Sequence, residues 1–372
     1  MWAARAYEDA EALRLEEIRE PDLGPGEVLV RVRAAGLVQG LISFWKFGLI
    51  PTLPATLGHE IAGSVERVGP GVSESRLGER VRVHANLSCR QCEFCLTDRE
   101  AMCEQASLIG ARTFGPASLR LHERYKDGGF AEFARAPEWL LDPLPDNVSF
   151  DVGTKVHDLA NAVRALKLAD LRPGATVAIL AATGAMGSAA VRMAPLFGVS
   201  RLVLIGRSRE RLQRVVASAA VPTEVVALED LEDGWEERRG LASALQALAP
   251  IEAVLDFLPN GPLLAQALGG LRIGGTAVTM SPSQSPIALP VVAIMVNCWR
   301  IVGTRSCTRA DALEVIELLR TGRLVADDLI THRFGLRDIN AAVTAVMERS
   351  EPVWMCVIDP SEGATAAAAE SD

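Results

Sequence analysis

The stretch TVAILAATGAMGSAAVRMAPLFGVSRLVLIGRSRERL, Thr176 to Leu212, has the pattern of a strand, a turn of small residues, a helix and a second strand. Val177 to Leu180 is an uninterrupted apolar run, which is typical of a strand buried on both faces of a parallel sheet. The helix should begin near Ala185, and Leu202 to Ile205 should form the second strand. The stretch therefore predicts a βαβ unit with a nucleotide-binding turn.

The turn AATGAMG has the composition of a phosphate-binding loop. Gly184 and Gly187 lack the Cβ atoms that would hold a pyrophosphate away from the backbone, and the helix N-terminus presents free N–H groups and a positive dipole end. The predicted cofactor-binding residues of this turn are Thr183, Gly184, Ala185, Met186 and Gly187. Ala181 and Thr183 stand where the dinucleotide fingerprint usually carries glycine, so a turn that serves packing alone is the alternative.

The end of the second strand indicates which coenzyme is bound. An acid that binds the ribose hydroxyls is expected there, but Gly206 stands in its place and a basic cluster follows, in a chain of net charge −9. A carboxylate would repel a 2′-phosphate, whereas guanidinium and hydroxyl groups bind one through charge-assisted hydrogen bonds. We therefore predict NADP(H), with the phosphate held by Gly206, Arg207, Ser208 and Arg211. The alternative is a solvated helix start.

Length and composition fit a two-domain enzyme. The 372 residues are 49% hydrophobic, which is enough for two separate cores. The negative net charge argues against nucleic acid and against a membrane surface as partners, because both require a basic footprint. The charged first residues, MWAARAYEDAEALRLEE, do not contain the apolar core of a secretory signal, so we expect a cytoplasmic protein.

Four of the seven cysteines lie together in the segment SCRQCEFCLTDREAMCE. In a reducing compartment, thiols this close rarely form disulfides, and short spacings let the chain wrap around one tetrahedral ion. The predicted ligands of a structural zinc ion are Cys89, Cys92, Cys95 and Cys103. Four thiolates leave no open coordination position, so this zinc would fix a loop and take no part in chemistry.

The strand and helix patterns change along the chain. Up to about residue 150, alternating strands such as EVLVRVRAAG and EIAGSVERVG are separated by glycine and proline turns, which predicts a β-rich domain. From Thr176 onward, strands and helices alternate as in a doubly wound parallel sheet, so the predicted fold class is α/β. The low-complexity tail, residues 361–372, is predicted to be disordered.

Four motifs follow one another along the chain: the triplet Gly58-His59-Glu60, the cysteine loop, DGGFAEF and the AATGAMG turn. In this order they resemble the medium-chain dehydrogenase/reductase superfamily. The cysteine loop is similar to that of zinc-type alcohol dehydrogenases, and the turn is closer to that of zinc-free quinone reductases. The resemblance implies a GroES-like catalytic domain of residues 1–155, completed by 305–360. It also implies a Rossmann NADP(H)-binding domain of residues 156–304, with the substrate in the cleft between the two domains.

The resemblance further implies a catalytic zinc site, and this sequence departs from it. The family's first ligand, a cysteine, falls at Val38, which cannot ligate a metal. The relay hydroxyl falls at Gly40 and the relay histidine at Ser43. The second ligand is kept as His59, and the third falls at or near His157.

Three functions are consistent with this altered site. In the first, which we favour, the catalytic zinc is lost and an NADP(H)-dependent oxidoreductase transfers a hydride to a small apolar carbonyl compound. A conjugated enone is preferred because delocalisation spreads its developing charge, and His157, His59 or Tyr125 would supply the proton. In the second, His59, Glu60 and His157 hold a catalytic zinc, as in an alcohol dehydrogenase or carbonyl reductase. In the third, the chain binds NADPH without catalysis.

The apolar run from Ile287 to Thr304 is a candidate dimer edge, by analogy with relatives that continue their sheet across a two-fold axis. We therefore expect a homodimer that acts on a small-molecule substrate. Burial of the run within the monomer is the alternative.

Overall fold

The computed structural model of the protein describes residues 1–351 and 353–361. The chain divides into two compact units, one formed by residues 1–157 with the chain from Thr308 onward and one formed by residues 158–307. Apart from Ser361, the tail that the sequence predicts to be disordered lies outside the described residues. None of the helices in the described part of the chain has both the length and the apolar character that crossing a bilayer requires.

The strands differ widely in length, from two residues in β4 to eleven in β3. In chain order they are β1 (Trp2–Ala6), β2 (Arg14–Glu17), β3 (Glu27–Leu37), β4 (Ala55–Thr56), β5 (Glu60–Val68), β6 (Arg80–Val83), β7 (Asn86–Leu87), β8 (Ser107–Leu108), β9 (Phe133–Pro137), β10 (Leu141–Pro143), β11 (Ala175–Leu180), β12 (Val199–Gly206), β13 (Thr223–Ala227), β14 (Ile251–Asp256), β15 (Leu271–Thr279), β16 (Arg300–Gly303), β17 (Ile330–Gly335) and β18 (Met355–Asp359).

Most of the helices are short, and one long helix ends the N-terminal half of the chain. They are α1 (Gln39–Lys46), α2 (Leu119–Arg124), α3 (Phe150–Leu168), α4 (Ala185–Met193), α5 (Arg209–Val216), α6 (Gly240–Ala247), α7 (Leu263–Ala267), α8 (Val291–Asn297), α9 (Arg309–Arg320) and α10 (Ile339–Glu348).

The first unit is built around β3. Its sheet has the order β10-β6-β5-β3-β18-β17, and β9 also pairs with β3. The C-terminal strand β18 lies antiparallel to β3, with Cys356 opposite Leu37, so the end of the chain completes a sheet that the N-terminal part begins. A small sheet, β2-β1-β4, and the pair β7-β8 complete the strands of this unit.

Two glycine-containing segments of this unit pack backbone to backbone. Gly129 donates its N–H to the carbonyl oxygen of Gly58 at 2.8 Å, and Gly128 donates to that of Thr56 at 2.7 Å. A Cβ added to Gly128 would lie 2.1 Å from the Gly58 oxygen, and Gly58 itself has φ +109°. Both positions therefore require glycine. The close contact of Gly58 with Gly128 and Gly129 positions the backbone just before His59 and β5.

The second unit is a six-stranded parallel sheet with the order β13-β12-β11-β14-β15-β16. By order of appearance this is 3-2-1-4-5-6, the arrangement of a doubly wound dinucleotide-binding sheet. β11 is buried along its whole length, as its apolar run predicts. The strand order reverses between β11 and β14, so the crevice where such folds bind ligands lies at the carboxyl end of β11.

Candidate functional site

The four clustered cysteines lie in a loop of short 3₁₀ turns between β7 and β8. The sulfur atoms of Cys92 and Cys95 are 3.5 Å apart and those of Cys89 and Cys95 are 3.9 Å apart. A zinc ion with Zn–S bonds of about 2.3 Å separates its sulfur ligands by about 3.8 Å. Burial raises the pKa of the Cys103 thiol to about 12, so a bound cation is needed to hold its thiolate at neutral pH. The cluster therefore has the donor set and the spacing of a structural zinc site.

The structure brings His59 and His157 together. His59 precedes β5, His157 lies within α3, and both are 5% exposed. Their ring centroids are 5.2 Å apart, and the rings meet edge to face at 83°. Burial, followed by the nearby basic groups, holds the pKa of His157 well below its usual value, so its imidazole is neutral at physiological pH. A neutral imidazole can donate one hydrogen bond and accept another.

Glu60 forms a buried ion pair that the sequence does not reveal. Its Oε2 accepts a hydrogen bond from Nζ of Lys155 at 2.6 Å, and the two side chains are 0% and 1% exposed. Gly36 lies opposite Glu60 in the sheet, and a Cβ there would be 1.9 Å from the Glu60 oxygen and 2.8 Å from the Lys155 nitrogen. The pair thus fills the space that the missing side chain of Gly36 leaves.

Sequence reasoning assigned no role to Lys155, although a signal was present. Residues 152–163 of α3 are all buried, so the helix is enclosed on every side over this segment. A lysine in such a segment needs a buried partner, because an unpaired ammonium group is costly to remove from water. The sequence shows the lysine, but only the tertiary structure shows that Glu60 is its partner.

The position of the family's first zinc ligand is apolar. Val38 caps the N-terminus of α1 and packs against the core of the first unit, so it offers no donor atom. Among residues 1–351 and 353–361, the four clustered cysteines are the one group of three or more His, Cys, Asp or Glu side chains whose ligand atoms all lie within 4.8 Å of one another. His59, Glu60 and His157 do not form such a group. They therefore lack the mutual clustering of donor atoms that the four cysteines have.

Tyr125, a predicted proton donor, is placed with different partners. Its hydroxyl donates to Oε1 of Glu27 at 3.0 Å, and Nε of Arg124 donates to the same oxygen at 2.7 Å. Burial and then the bond to Glu27 raise the pKa of Tyr125 to about 12. The sequence alone does not indicate this pairing, because Glu27 and Tyr125 are 98 residues apart. The structure groups Tyr125 with these residues and not with His59 and His157.

The turn after β11 has the backbone of a phosphate-binding loop despite its missing glycines. Ala181, in a position that usually carries glycine, has the left-handed φ of +57°. A Cβ added to Gly187 would lie 2.4 Å from the Ala181 oxygen, so this close contact requires glycine. Gly184 caps α4 without a side-chain acceptor, which leaves the first N–H groups of the helix, at Ala185 and Met186, to face outward. These residues fit the pyrophosphate of a dinucleotide.

The predicted 2′-phosphate site lies between β12 and α5. β12 ends at Gly206, Arg207 is exposed, and Ser208 is the N-cap of α5 without a side-chain hydrogen bond. Arg211 follows in the first turn of α5 and is half-buried. The four predicted contacts thus share one strand end and one helix start.

Two acidic residues beside this site are not predicted from the sequence. The Arg209 N–H donates to Oε1 of Glu229 at 2.7 Å, and its Nε donates to Oδ2 of Asp230 at 2.6 Å. Both acids lie in the 3₁₀ turn Leu228–Asp230 that follows β13, and β13 is the parallel neighbour of β12. The available signal was the run LEDLED after the predicted strand VVAL. Arg209 is therefore matched by local negative charge.

Comparisons with known proteins agree with this architecture. Residues 24–146 match the family model of the alcohol dehydrogenase GroES-like domain. The chain is 27% identical over 328 residues to an alcohol dehydrogenase of Geobacillus stearothermophilus, covering 87% of this chain and 90% of the relative. It is 26% identical over 342 residues to a probable D-xylulose reductase A of Neosartorya fischeri, covering 90% of each. The crystal structure of a cobalt- and zinc-bound thermostable alcohol dehydrogenase from Pyrobaculum aerophilum superposes with a TM-score of 0.81 at 26% identity, over 97% of this chain and 99% of that one.

The fold and these matches define an oxidoreductase of the dehydrogenase class. Residues 24–146 are an alcohol dehydrogenase GroES-like domain, and the matches over the whole chain support a zinc-type, alcohol dehydrogenase-like medium-chain dehydrogenase/reductase. This confirms the predicted family and the predicted α/β fold class with its GroES-like and doubly wound parts.

Proposed function

We propose that the chain is an NADP(H)-dependent reductase that transfers a hydride to a small apolar carbonyl compound, preferably a conjugated enone, without a catalytic zinc. The observations that carry the proposal are the engagement of Glu60 by Lys155 and an apolar Val38 at the position of the family's first zinc ligand. One oxygen of Glu60 is thereby engaged by an ammonium group, and the two imidazoles alone are fewer than the three protein donors that a catalytic zinc needs. The four cysteines would hold a structural zinc.

The coenzyme assignment rests on the end of β12. Gly206 leaves room for a 2′-phosphate, and Arg207 and Arg211 would pair with it through charge-assisted hydrogen bonds. Arg209 is already matched by Glu229 and Asp230, so we do not assign it to the phosphate. The N–H groups at the start of α4 would hold the pyrophosphate.

The residues of the first unit would stabilise the charge that develops on the substrate oxygen. NADPH, when bound, supplies the hydride. His59 or His157 would donate an N–H to the carbonyl oxygen, which becomes an enolate oxygen in an enone, and one of them would pass on the proton that completes reduction. An enone needs less help than a saturated ketone because conjugation spreads its negative charge. This explains why a site without a Lewis acid would favour it.

Turnover and metal content test this function together. Purified protein should oxidise NADPH in the presence of enones, more slowly with saturated ketones, and should contain one zinc per chain. Two zinc ions per chain, with ketone reduction that a chelator abolishes, would favour the zinc-dependent carbonyl reductase that uses His59, Glu60 and His157. Tight NADPH binding without turnover on enones, quinones, aldehydes or alcohols would favour a non-catalytic coenzyme-binding protein.

We also infer that the partner of the chain is a second copy. β16 is an edge strand of its sheet, and α8 just before it exposes apolar side chains, with Val291 80% and Met295 67% exposed. An unpaired edge beside an apolar patch favours self-association. The solution mass should be twice 39.8 kDa, and V291E/M295E should be monomeric. Leu77→Glu, at an exposed apolar site in the other unit, should leave the dimer intact. A wild type that is monomeric at micromolar concentration would contradict the dimer.

A further inference from the structure

The ion pair of Glu60 and Lys155 joins the two segments that carry the histidines. Glu60 is the first residue of β5 and directly follows His59, whereas Lys155 precedes His157 by two residues in α3. Nζ of Lys155 and Oε2 of Glu60 are 2.6 Å apart, and neither side chain is more than 1% exposed. The contact therefore links β5 to α3 next to the two imidazoles, whose centroids are 5.2 Å apart.

The same contact affects whether a zinc ion can bind beside the two histidines. A zinc ion beside His59 and His157 would need at least one further donor, and the acidic side chains next to them in sequence are Glu60, after His59, and Asp158, after His157. Oε2 of Glu60 accepts a hydrogen bond from Lys155, so a zinc ion on the remaining oxygen, Oε1, would share the carboxylate with the ammonium group. A zinc ion would also be repelled by the nearby ammonium group in a poorly solvated site.

We propose that Lys155 keeps the histidine site free of metal, because its ammonium group holds one oxygen of the Glu60 carboxylate and supplies the positive charge that a zinc ion would otherwise bring. Lys155 acts here as a positioning and selectivity residue. It is fully buried and acts through Glu60, without contact with the substrate. The inference rests on the proposed zinc-free function, and it adds that the exclusion of metal depends on Lys155 as well as on the valine at position 38.

Metal stoichiometry tests the proposal in the full-length protein. The variants are V38C, which restores a thiolate donor but keeps the ion pair, and V38C/E60Q/K155M, which restores the donor and removes both charges. Removing both charges together avoids leaving one of them buried and unpaired. E60Q/K155M without V38C is the matched control for folding, checked by circular dichroism and thermal unfolding. Each protein is loaded with zinc, or with cobalt to reveal a cobalt–thiolate absorption band, and then desalted and counted.

The wild type, V38C and E60Q/K155M should each retain one zinc per chain, at the four cysteines. V38C/E60Q/K155M should retain two, and its cobalt form should gain absorption from a metal at the new thiolate. A second zinc in V38C alone would overturn the proposal, because Lys155 would then be no obstacle. So would a single zinc in a folded V38C/E60Q/K155M. The metal count does not depend on coenzyme or substrate, so a failure to reduce enones with NADPH would refute the proposed function and leave this inference standing.

Discussion

Replacing Cys92 by serine should release the zinc of the cysteine loop and destabilise the first unit. The loop from Cys89 to Cys103 spans 15 residues. A zinc ion that binds only the folded loop contributes its binding free energy to folding, about 4 kcal/mol when free zinc is about 1,000 times its Kd. The freed thiols would include Cys103, which is 1% exposed. Zinc content should fall from one equivalent per chain to near zero, and the denaturant midpoint should fall with it.

The matched control for this change is Cys298→Ser, which removes an exposed cysteine from the other unit. It should leave both zinc content and the denaturant midpoint unchanged. If the Cys92 variant keeps its zinc and its stability, the four cysteines do not form a metal site that supports the fold.

Replacing Arg207 and Arg211 by alanine should convert a preference for NADPH into near indifference between NADPH and NADH. A hydrogen bond to a charged group contributes about 1.5 kcal/mol at the low end, which is roughly tenfold in affinity for each arginine. Both side chains are at least partly exposed, so the low end applies. The Kd for NADPH, measured by fluorescence titration, should rise by about one to two orders of magnitude for the double variant, and the Kd for NADH should change little.

Arg214→Ala is the control on the same helix, because Arg214 pairs with Glu210 at 2.8 Å on the surface. It should leave both coenzyme affinities unchanged. A wild type that binds NADH much more tightly than NADPH would contradict the coenzyme assignment, as would equal losses for both coenzymes in the arginine variant.

Several features of the site follow from short-range sequence patterns. The cysteine cluster is predictable because its ligands lie within 15 residues of chain and must fold back on one ion. The turn after β11 is predictable because strand, turn and helix follow one another directly between Thr176 and Met193. The left-handed φ of Ala181 explains why a turn with an incomplete glycine pattern still has the required backbone.

The charges around the predicted sites were less predictable. The sequence shows a basic cluster after β12, but the acids that match Arg209 come from a turn 20 residues later, brought alongside by the parallel pairing of β12 and β13. The hydrogen-bond partner of Tyr125 is similarly remote in sequence, because Glu27 lies 98 residues earlier in the chain. Ion pairs of this kind are set by sheet register and burial, and local periodicity carries no information about them.

By itself, the sequence determined the α/β fold class, the order of the two kinds of domain, the cysteine loop and the strand, turn and helix that begin the parallel sheet, because each of these depends on residue spacing along a short piece of chain. Only the tertiary structure decided how the side chains of the candidate site are paired. It placed the His59 ring edge to face with that of His157, 98 residues later in the chain. It also paired Glu60 with Lys155, 95 residues later. The physical reason is that a buried charge must find its partner wherever packing brings one within hydrogen-bonding distance.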